Sequence, residues 1–270
     1  MSKLDVLAIG PHPDDVELGC GGTLALAARQ GRRVGILHLT RGERGTRGTP
    51  EQRLAEAEQA AAALGAVELA FLDCGDGALR DGEPEEEALI EVLRTWRPEL
   101  VLGPPRHDRH PDHERGHRLV AAAAFYSGLQ ARGSRALAAH RPAAIFSYMQ
   151  HHTFEPSFVV DVTTAWEAKL AALAAYRSQI YQPGGGAGST GSGAAGATGA
   201  GGAAVAPAGE AAGERGGPLT KVSSREFRLA VEGRARHFGQ LIGAELGEPF
   251  WSPQPLAVAD LLALVPRGPR

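Results

Sequence analysis

Three side chains that can ligate a metal or move a proton crowd one short stretch, PHPDD at residues 11–15: His12, Asp14 and Asp15. Imidazole and carboxylate are both good ligands for zinc and similar divalent ions. Neighbouring loop residues cannot easily aim their side chains at one atom. One aspartate can therefore bind an ion while the other faces the water that the ion holds. Pro11 and Pro13 restrict the backbone on either side of His12, which favours a fixed site over a floppy tip. A second cluster, GPPRHDRHPDHERGH at residues 103–117, carries His107, His110, Asp112, His113 and His117. Two histidines and one carboxylate leave a coordination position open, as catalytic zinc sites do. An ion so held brings the pKa of a bound water towards ~7, and a free carboxylate beside it can accept the proton. A single loop histidine or an Asp-Asp pair is ordinarily just solvated. Two such clusters, each following an apolar run, make the stronger case.

Residues 113–117 also read His-Glu-Arg-Gly-His, the H-E-x-x-H pattern of zinc proteases. That pattern needs both histidines on one face of a helix, with the glutamate as base. Here Pro111 and Asp112 place His113 at the very start of a helix, and Gly116 weakens the turn between the histidines. A protease reading also leaves His12, Asp14, Asp15 and His110 without work.

The elements that must position these residues alternate. Residues 4–9, 34–40, 67–72 and 99–103 read as strands. Residues 20–30, 50–64, 84–95 and 113–125 read as helices. Over 50–64, Pro50 suits the first turn, Ala, Glu and Leu fill the helix, and Gly65 ends it. Such alternation predicts a Rossmann-like α/β fold, a mostly parallel sheet with helices on both faces. Ligands in such folds sit at the carboxyl ends of the strands. Residues 10–19 follow the first strand and 104–113 the fourth, so both clusters belong at that edge and can face one cavity if the two strands are neighbours. Two further β-like segments, 143–149 and 158–162, a helix over about 164–180 and another over 223–242 form a smaller C-terminal α+β part. One domain over 1–270 is expected, with an α/β core at 1–130 and the C-terminal part at 131–183 and 218–270. Between those pieces lies 184–217. Fourteen of its 34 residues are glycine and 11 are alanine, so it has little to bury and much entropy to lose. It is expected to be a flexible insertion.

The 270 residues are enough for a substantial core, and the net charge of −3 offers no basic field for nucleic acid or an anionic membrane. The two cysteines, Cys20 and Cys74, lack metal-type spacing and form no disulfide framework, so a reducing, cytoplasmic setting is expected. The first residues show no signal-peptide pattern, and no run approaches the ~18 apolar residues of a membrane helix.

At the two clusters the sequence resembles the LmbE-like, PIG-L-type zinc-dependent N-acetylglucosamine deacetylases. PHPDDVELGCGGTLA at 11–25 is similar to the opening motif of that family and RHPDH at 109–113 to its second motif. LTRGERGTRGTPEQR at 39–53, FEPSFVVDV at 154–162 and EGRARHFGQLIGAELGEPF at 232–250 resemble one branch, the bacillithiol-pathway deacetylases of N-acetylglucosaminyl-malate. The resemblance implies that His12, Asp15 and His113 are the zinc ligands and that Asp14 is the base that activates water. It implies that His110 stabilises the oxyanion, as imidazolium, or protonates the leaving amine. Asp112 would orient or tune that histidine, and Arg53 would bind substrate. The tyrosine that reaches the carbonyl oxygen in relatives has no match among Tyr126, Tyr148, Tyr176 and Tyr181.

The implied reaction is amide hydrolysis of an N-acetylglucosamine conjugate, most closely N-acetylglucosaminyl-malate, to acetate and a free glucosamine conjugate. Zn2+ is the implied cofactor, with Fe2+ or another divalent ion also suited to the ligand set. The implied partner is a small-molecule amino-sugar substrate, with no nucleic acid and no membrane, and relatives imply a homo-oligomer, a hexamer among the options. Other readings are a deacetylase of another N-acetylglucosamine compound, an amidase of a thiol-sugar conjugate, and a non-catalytic sugar- or metal-binding protein. Intact Asp14 and His110 weigh against the last, because a binder needs no base beside its metal. Arg41, Glu43, Arg44 and Arg47 suit either an arginine fork for a carboxylate or a solvated charged loop. Glu17 suits either support of the ligand loop or solvent.

Overall fold

A computed structural model describes residues 3–180 and 220–260 of the chain. The Gly/Ala-rich stretch expected to be a flexible insertion lies outside the described residues. Seven strands form one sheet: β1 (Val6–Gly10), β2 (Val34–His38), β3 (Glu68–Phe71), β4 (Leu100–Gly103), β5 (Ala144–Tyr148), β6 (Phe158–Asp161) and β7 (Gly247–Trp251). Their order is β3-β2-β1-β4-β5-β7-β6. The first five are parallel, and β7 runs antiparallel to both β5 and β6. The late strands therefore extend the edge of the α/β sheet instead of building a separate layer. The sheet class is the one read from the alternation of elements.

Helices cover both faces. α1 (Asp15–Arg29), α2 (Pro50–Leu64) and α5 (Trp166–Ala175) pack on one side, where Leu18, Leu24, Ala57, Leu64 and Leu173 join Val34 and Ile36 in a core. α3 (Glu83–Trp96) and α4 (Pro111–Tyr126) pack on the other, where Leu89, Leu93, Leu119 and Val120 meet Leu7, Ile9, Leu37 and Val101. Alternate residues of β1 and β2 feed the two cores, which is why these central strands are apolar almost throughout. α6 (Arg225–Leu241) lies against β7. Among the described residues no helix is long and apolar enough to cross a membrane.

Local chemistry explains the sharpest boundaries. Thr49 caps α2 by accepting from Gln52 N at 3.2 Å, and Gly65 ends the helix at φ 75°. Ser224 caps α6 by accepting from Phe227 N at 3.1 Å. α1 differs from its expected range: it begins at Asp15, not near residue 20, and kinks at Cys20 where φ is −142°. Its first turns thus belong to the metal-ligand stretch itself. Gly19 permits that path, because a side chain there would run into the Tyr148 ring, whose hydroxyl is anchored on Ile9 O at 3.1 Å. β7 was not expected from sequence.

Candidate active site

β1 and β4 are hydrogen-bonded neighbours, with Val6 opposite Leu100 and Ala8 opposite Leu102. The loops that leave their carboxyl ends therefore meet, and the two clusters share one buried site. His12 turns Nδ1 to Asp15 Oδ2 at 3.1 Å and Nε2 to Asp112 Oδ2 at 3.2 Å, a contact across 100 positions of chain. His113 Nε2 faces Asp15 Oδ1 at 3.4 Å. Asp15, in the first turn of α1, thus touches both histidines with one oxygen each. His110 is the N-cap of α4 and its ring lies edge-on to that of His12, 4.8 Å between centroids.

Asp14 stands apart from this web. Its carboxylate makes no hydrogen bond among the described residues, although the residue is only 7% exposed. Its φ is 103°, in the left-handed region that non-glycine residues enter at a cost. Burial first, and the charge of Asp15 second, push its pKa up to about 7. Its neighbour goes the other way: burial would raise Asp15, but the charges and hydrogen bonds of His113 and His12 hold it well below the usual carboxylate range. Two adjacent aspartates are thereby driven apart, the pattern that separates a proton acceptor from a ligand.

The donors present fit a divalent cation. Asp14, Asp15, Asp76, Asp108 and Asp112 are all buried here, against buried His12, His113 and one buried guanidinium, Arg53. Such a surplus of negative charge out of water is costly unless a cation joins it. Two groupings bring one donor atom from each of three residues within 4.8 Å: His12, His110 and His113, and His12, Asp76 and Asp112. The expected trio of His12, Asp15 and His113 is not itself such a grouping, although Asp15 contacts both of its histidines.

Several expectations change. Asp112 was expected to orient His110; its carboxylate instead accepts from Gly77 N at 2.8 Å and Leu79 N at 3.1 Å and faces His12. His110 was expected as an imidazolium. Burial, followed by the charges of His12 and His113, lowers its pKa, and its Nδ1 accepts from Asp112 N at 3.2 Å. That bond leaves the ring proton on Nε2, so a neutral His110 is a hydrogen-bond donor. Arg53 was expected to touch substrate. It is 5% exposed and donates to Gly42 O at 2.9 Å and Pro13 O at 3.0 Å, so it braces the loop beside Asp14. Tyr148 and Tyr176 are tied to Ile9 O and Glu17, and Tyr126 lies under Arg132; Tyr181 lies outside the described residues. His117 bonds Pro104 O at 3.2 Å and faces Ser147, and it belongs to neither donor grouping, so the H-E-x-x-H pattern is not the site.

Four residues were not singled out in the sequence. Asp108 accepts from His113 Nδ1 at 2.7 Å and from the backbone N–H of Arg109 and His152, which fixes the His113 ring with Nε2 towards Asp15. Gln150 donates to Asp15 Oδ1. His151 stacks on His113 at 5.8 Å, and Asp76 Oδ1 lies 3.2 Å from His12 Nε2. A histidine-flanked aspartate inside RHDRHPDH was the available signal for Asp108. Nothing near Gln150 marked it. A cavity of about 640 Å³ opens beside the site, lined by Arg106, His107, His151, Phe154 and Trp251.

Known proteins resemble this chain in sequence and in fold. Residues 7–124 match the family model described as PIG-L, GlcNAc-PI de-N-acetylase. A diacetylchitobiose deacetylase of Thermococcus kodakarensis is 32% identical over 185 residues, 64% of this chain and 69% of that protein. A 1D-myo-inositol 2-acetamido-2-deoxy-alpha-D-glucopyranoside deacetylase of Thermomonospora curvata is 28% identical over 67% of this chain and 82% of its own length. A probable N-acetyl-alpha-D-glucosaminyl L-malate deacetylase of Bacillus cereus is 31% identical over 64% of this chain and 83% of its own. Among solved structures, the conserved protein TT1542 of Thermus thermophilus superposes with a TM-score of 0.77 at 34% identity, over 96% of this chain and 98% of that one.

Proposed function

This chain belongs to the PIG-L family of GlcNAc-PI de-N-acetylases, and on that premise we propose how its residues divide the reaction. It is an amide hydrolase that removes the N-acetyl group from amino-sugar conjugates, and like its family it depends on a metal ion. One observation carries the reading: Asp14, a buried carboxylate with no hydrogen bond among the described residues, sits in a strained backbone conformation beside an Asp15 engaged by both histidines. A structural carboxylate would be satisfied. A base must keep its oxygens free.

His12, Asp15 and His113 would hold the ion, which when bound supplies Lewis acidity towards the acetyl carbonyl and acidifies water. Asp14 takes the proton from the attacking water and later delivers it to the departing amine nitrogen, a role suited by a pKa near the operating pH. His110 presents Nε2–H to the oxygen on which charge develops. Asp108 holds His113 in the tautomer that leaves Nε2 free. Arg53 holds the Pro13 carbonyl, and through it the loop bearing Asp14. The products are acetate and a free amine.

The conjugate we favour is N-acetylglucosaminyl-malate in bacillithiol biosynthesis. Support comes from the branch-like stretches at 39–53, 154–162 and 232–250 and from the malate-conjugate relative. The chitobiose and inositol-conjugate relatives keep a second reading open, a deacetylase of a neutral disaccharide or pseudodisaccharide. Acetate release from these three conjugates, assayed with metal analysis of the same preparation, tests both. The malate conjugate is expected to give the highest kcat/KM. No acetate from any of the three would end the de-N-acetylase reading.

A further inference from the structure

A second cavity, of about 290 Å³, adjoins the first at His151 and Thr153. Its wall includes Gln150, which donates to the candidate ligand Asp15, and His151, which stacks on His113. From α6 it receives Arg234 and His237, and from the segment before α6 it receives Lys221. Among the described residues no carboxylate lines it. Arg234 is half-buried, and no hydrogen bond or ion pair engages its guanidinium among the described residues. Burial lowers its pKa, and the acids it feels are Glu248 and Asp108. Neither is free to serve it. Glu248 is occupied by Gly22 N, Thr23 and Lys169, and Asp108 by His113 and three backbone N–H groups.

A guanidinium taken partly out of water without a partner is a net cost to the fold. Its planar fork matches a carboxylate or a phosphate. We infer that Arg234, with Lys221 and His237 at the rim, forms a subsite for a negatively charged substituent of the sugar conjugate. The subsite lies along the wall that Gln150 and His151 share with the reacting centre. This rests on the de-N-acetylase reading for the identity of the conjugate, but not for the binding of the anion. It also separates candidate substrates by charge: a malate or phosphate conjugate is served by it, and diacetylchitobiose is not.

Arg234→Met and Arg234→Gln test the assignment. For each, kcat/KM is measured on N-acetylglucosaminyl-malate, on N-acetylglucosamine 1-phosphate and on neutral N,N'-diacetylchitobiose. The expected result is a fall of about tenfold or more in the ratio of anionic to neutral kcat/KM, carried by KM. A fall on the malate conjugate alone identifies a carboxylate site, and a fall on the phosphate alone a phosphate site. An unchanged ratio overturns the inference. Calorimetric titration of L-malate and inorganic phosphate into wild type and both variants reads binding without turnover. Binding lost in the variants supports the subsite even if wild type releases no acetate, in which case only the de-N-acetylase reading falls. Equal binding to wild type and variants places the anion elsewhere and overturns the assignment. The ligand-free Tm of Arg234→Met is expected to equal or exceed that of wild type by a few degrees, because an unpaired charge is removed. A Tm lowered by more than about 5 °C would show a structural partner for Arg234 and overturn it as well.

Discussion

Two buried charge clusters lie at either end of the first half of α1, and they are built on opposite terms. At the Cys20 kink, Glu248 of β7 accepts from Gly22 N at 3.0 Å, Thr23 N at 2.7 Å and Thr23 Oγ1 at 2.7 Å, and pairs with Lys169 of α5 at 2.5 Å. Lys169 also donates to Leu18 O at 2.9 Å. The kink frees backbone N–H groups as a helix start does, and a residue far along the chain caps them. Gly22 lets it come close, since a Cβ there would lie 3.1 Å from Glu248 Oε1 and 2.8 Å from Val162 Cβ. Charge balances, and both carboxylate oxygens of Glu248 are engaged. At Asp14 and Asp15, carboxylates outnumber cations, one of them makes no hydrogen bond among the described residues, and the backbone is strained. The contrast separates the two uses of buried charge: a satisfied pair holds a helix in place, whereas an unsatisfied cluster is kept for chemistry.

The comparison breaks first at the site. His113→Ala is expected to lose both the metal and turnover, while Asp14→Ala keeps the metal and loses turnover by about 10²–10⁴-fold. Metal analysis beside acetate release checks both. An Asp14→Ala protein purified without metal, or with near-native turnover, would put Asp14 among the structural carboxylates. At the clamp the effect should fall on stability. Lys169→Met strands the Glu248 charge and should cost about 3–5 kcal/mol of unfolding free energy. Adding Glu248→Gln should restore part of that loss, as chemical denaturation would show. If the single variant unfolds as wild type does, the pair is not a clamp. The smallest effect sharpens the boundary between the two kinds. Asp108→Asn keeps its size but weakens the hold on His113 Nδ1, so metal affinity should fall by about 10–100-fold with little change in Tm. Competition with a chelator reads that loss, and unchanged affinity would leave Asp108 a loop-ordering residue only.

Much of this was legible because it is local. α2 runs from Pro50 to Leu64 as read, since Thr49, Pro50 and Gly65 act on their own immediate neighbours. The two clusters were legible by residue type and by their place after apolar runs. β7 was not: Gly247–Trp251 is short and contains Pro249, and its pairing with β5 and β6 is non-local. With β7 went Glu248 and the clamp. Arg53 was expected to bind substrate, yet its two carbonyl partners, Gly42 and Pro13, are brought to it by the packing of α2 against the site loop.

By itself the sequence determined which chemistry each half of the site could contribute. Imidazole, carboxylate and proline at given spacings fix ligand type, proton acceptor and loop stiffness whatever surrounds them. The tertiary structure decided the pairings: β4 beside β1, hence Asp112 on His12, Asp108 on His113, Gln150 on Asp15 and, among the described residues, no hydrogen-bond partner for Asp14. Strand order follows from how all the helices cover the whole sheet, a sum over the chain that no short stretch contains.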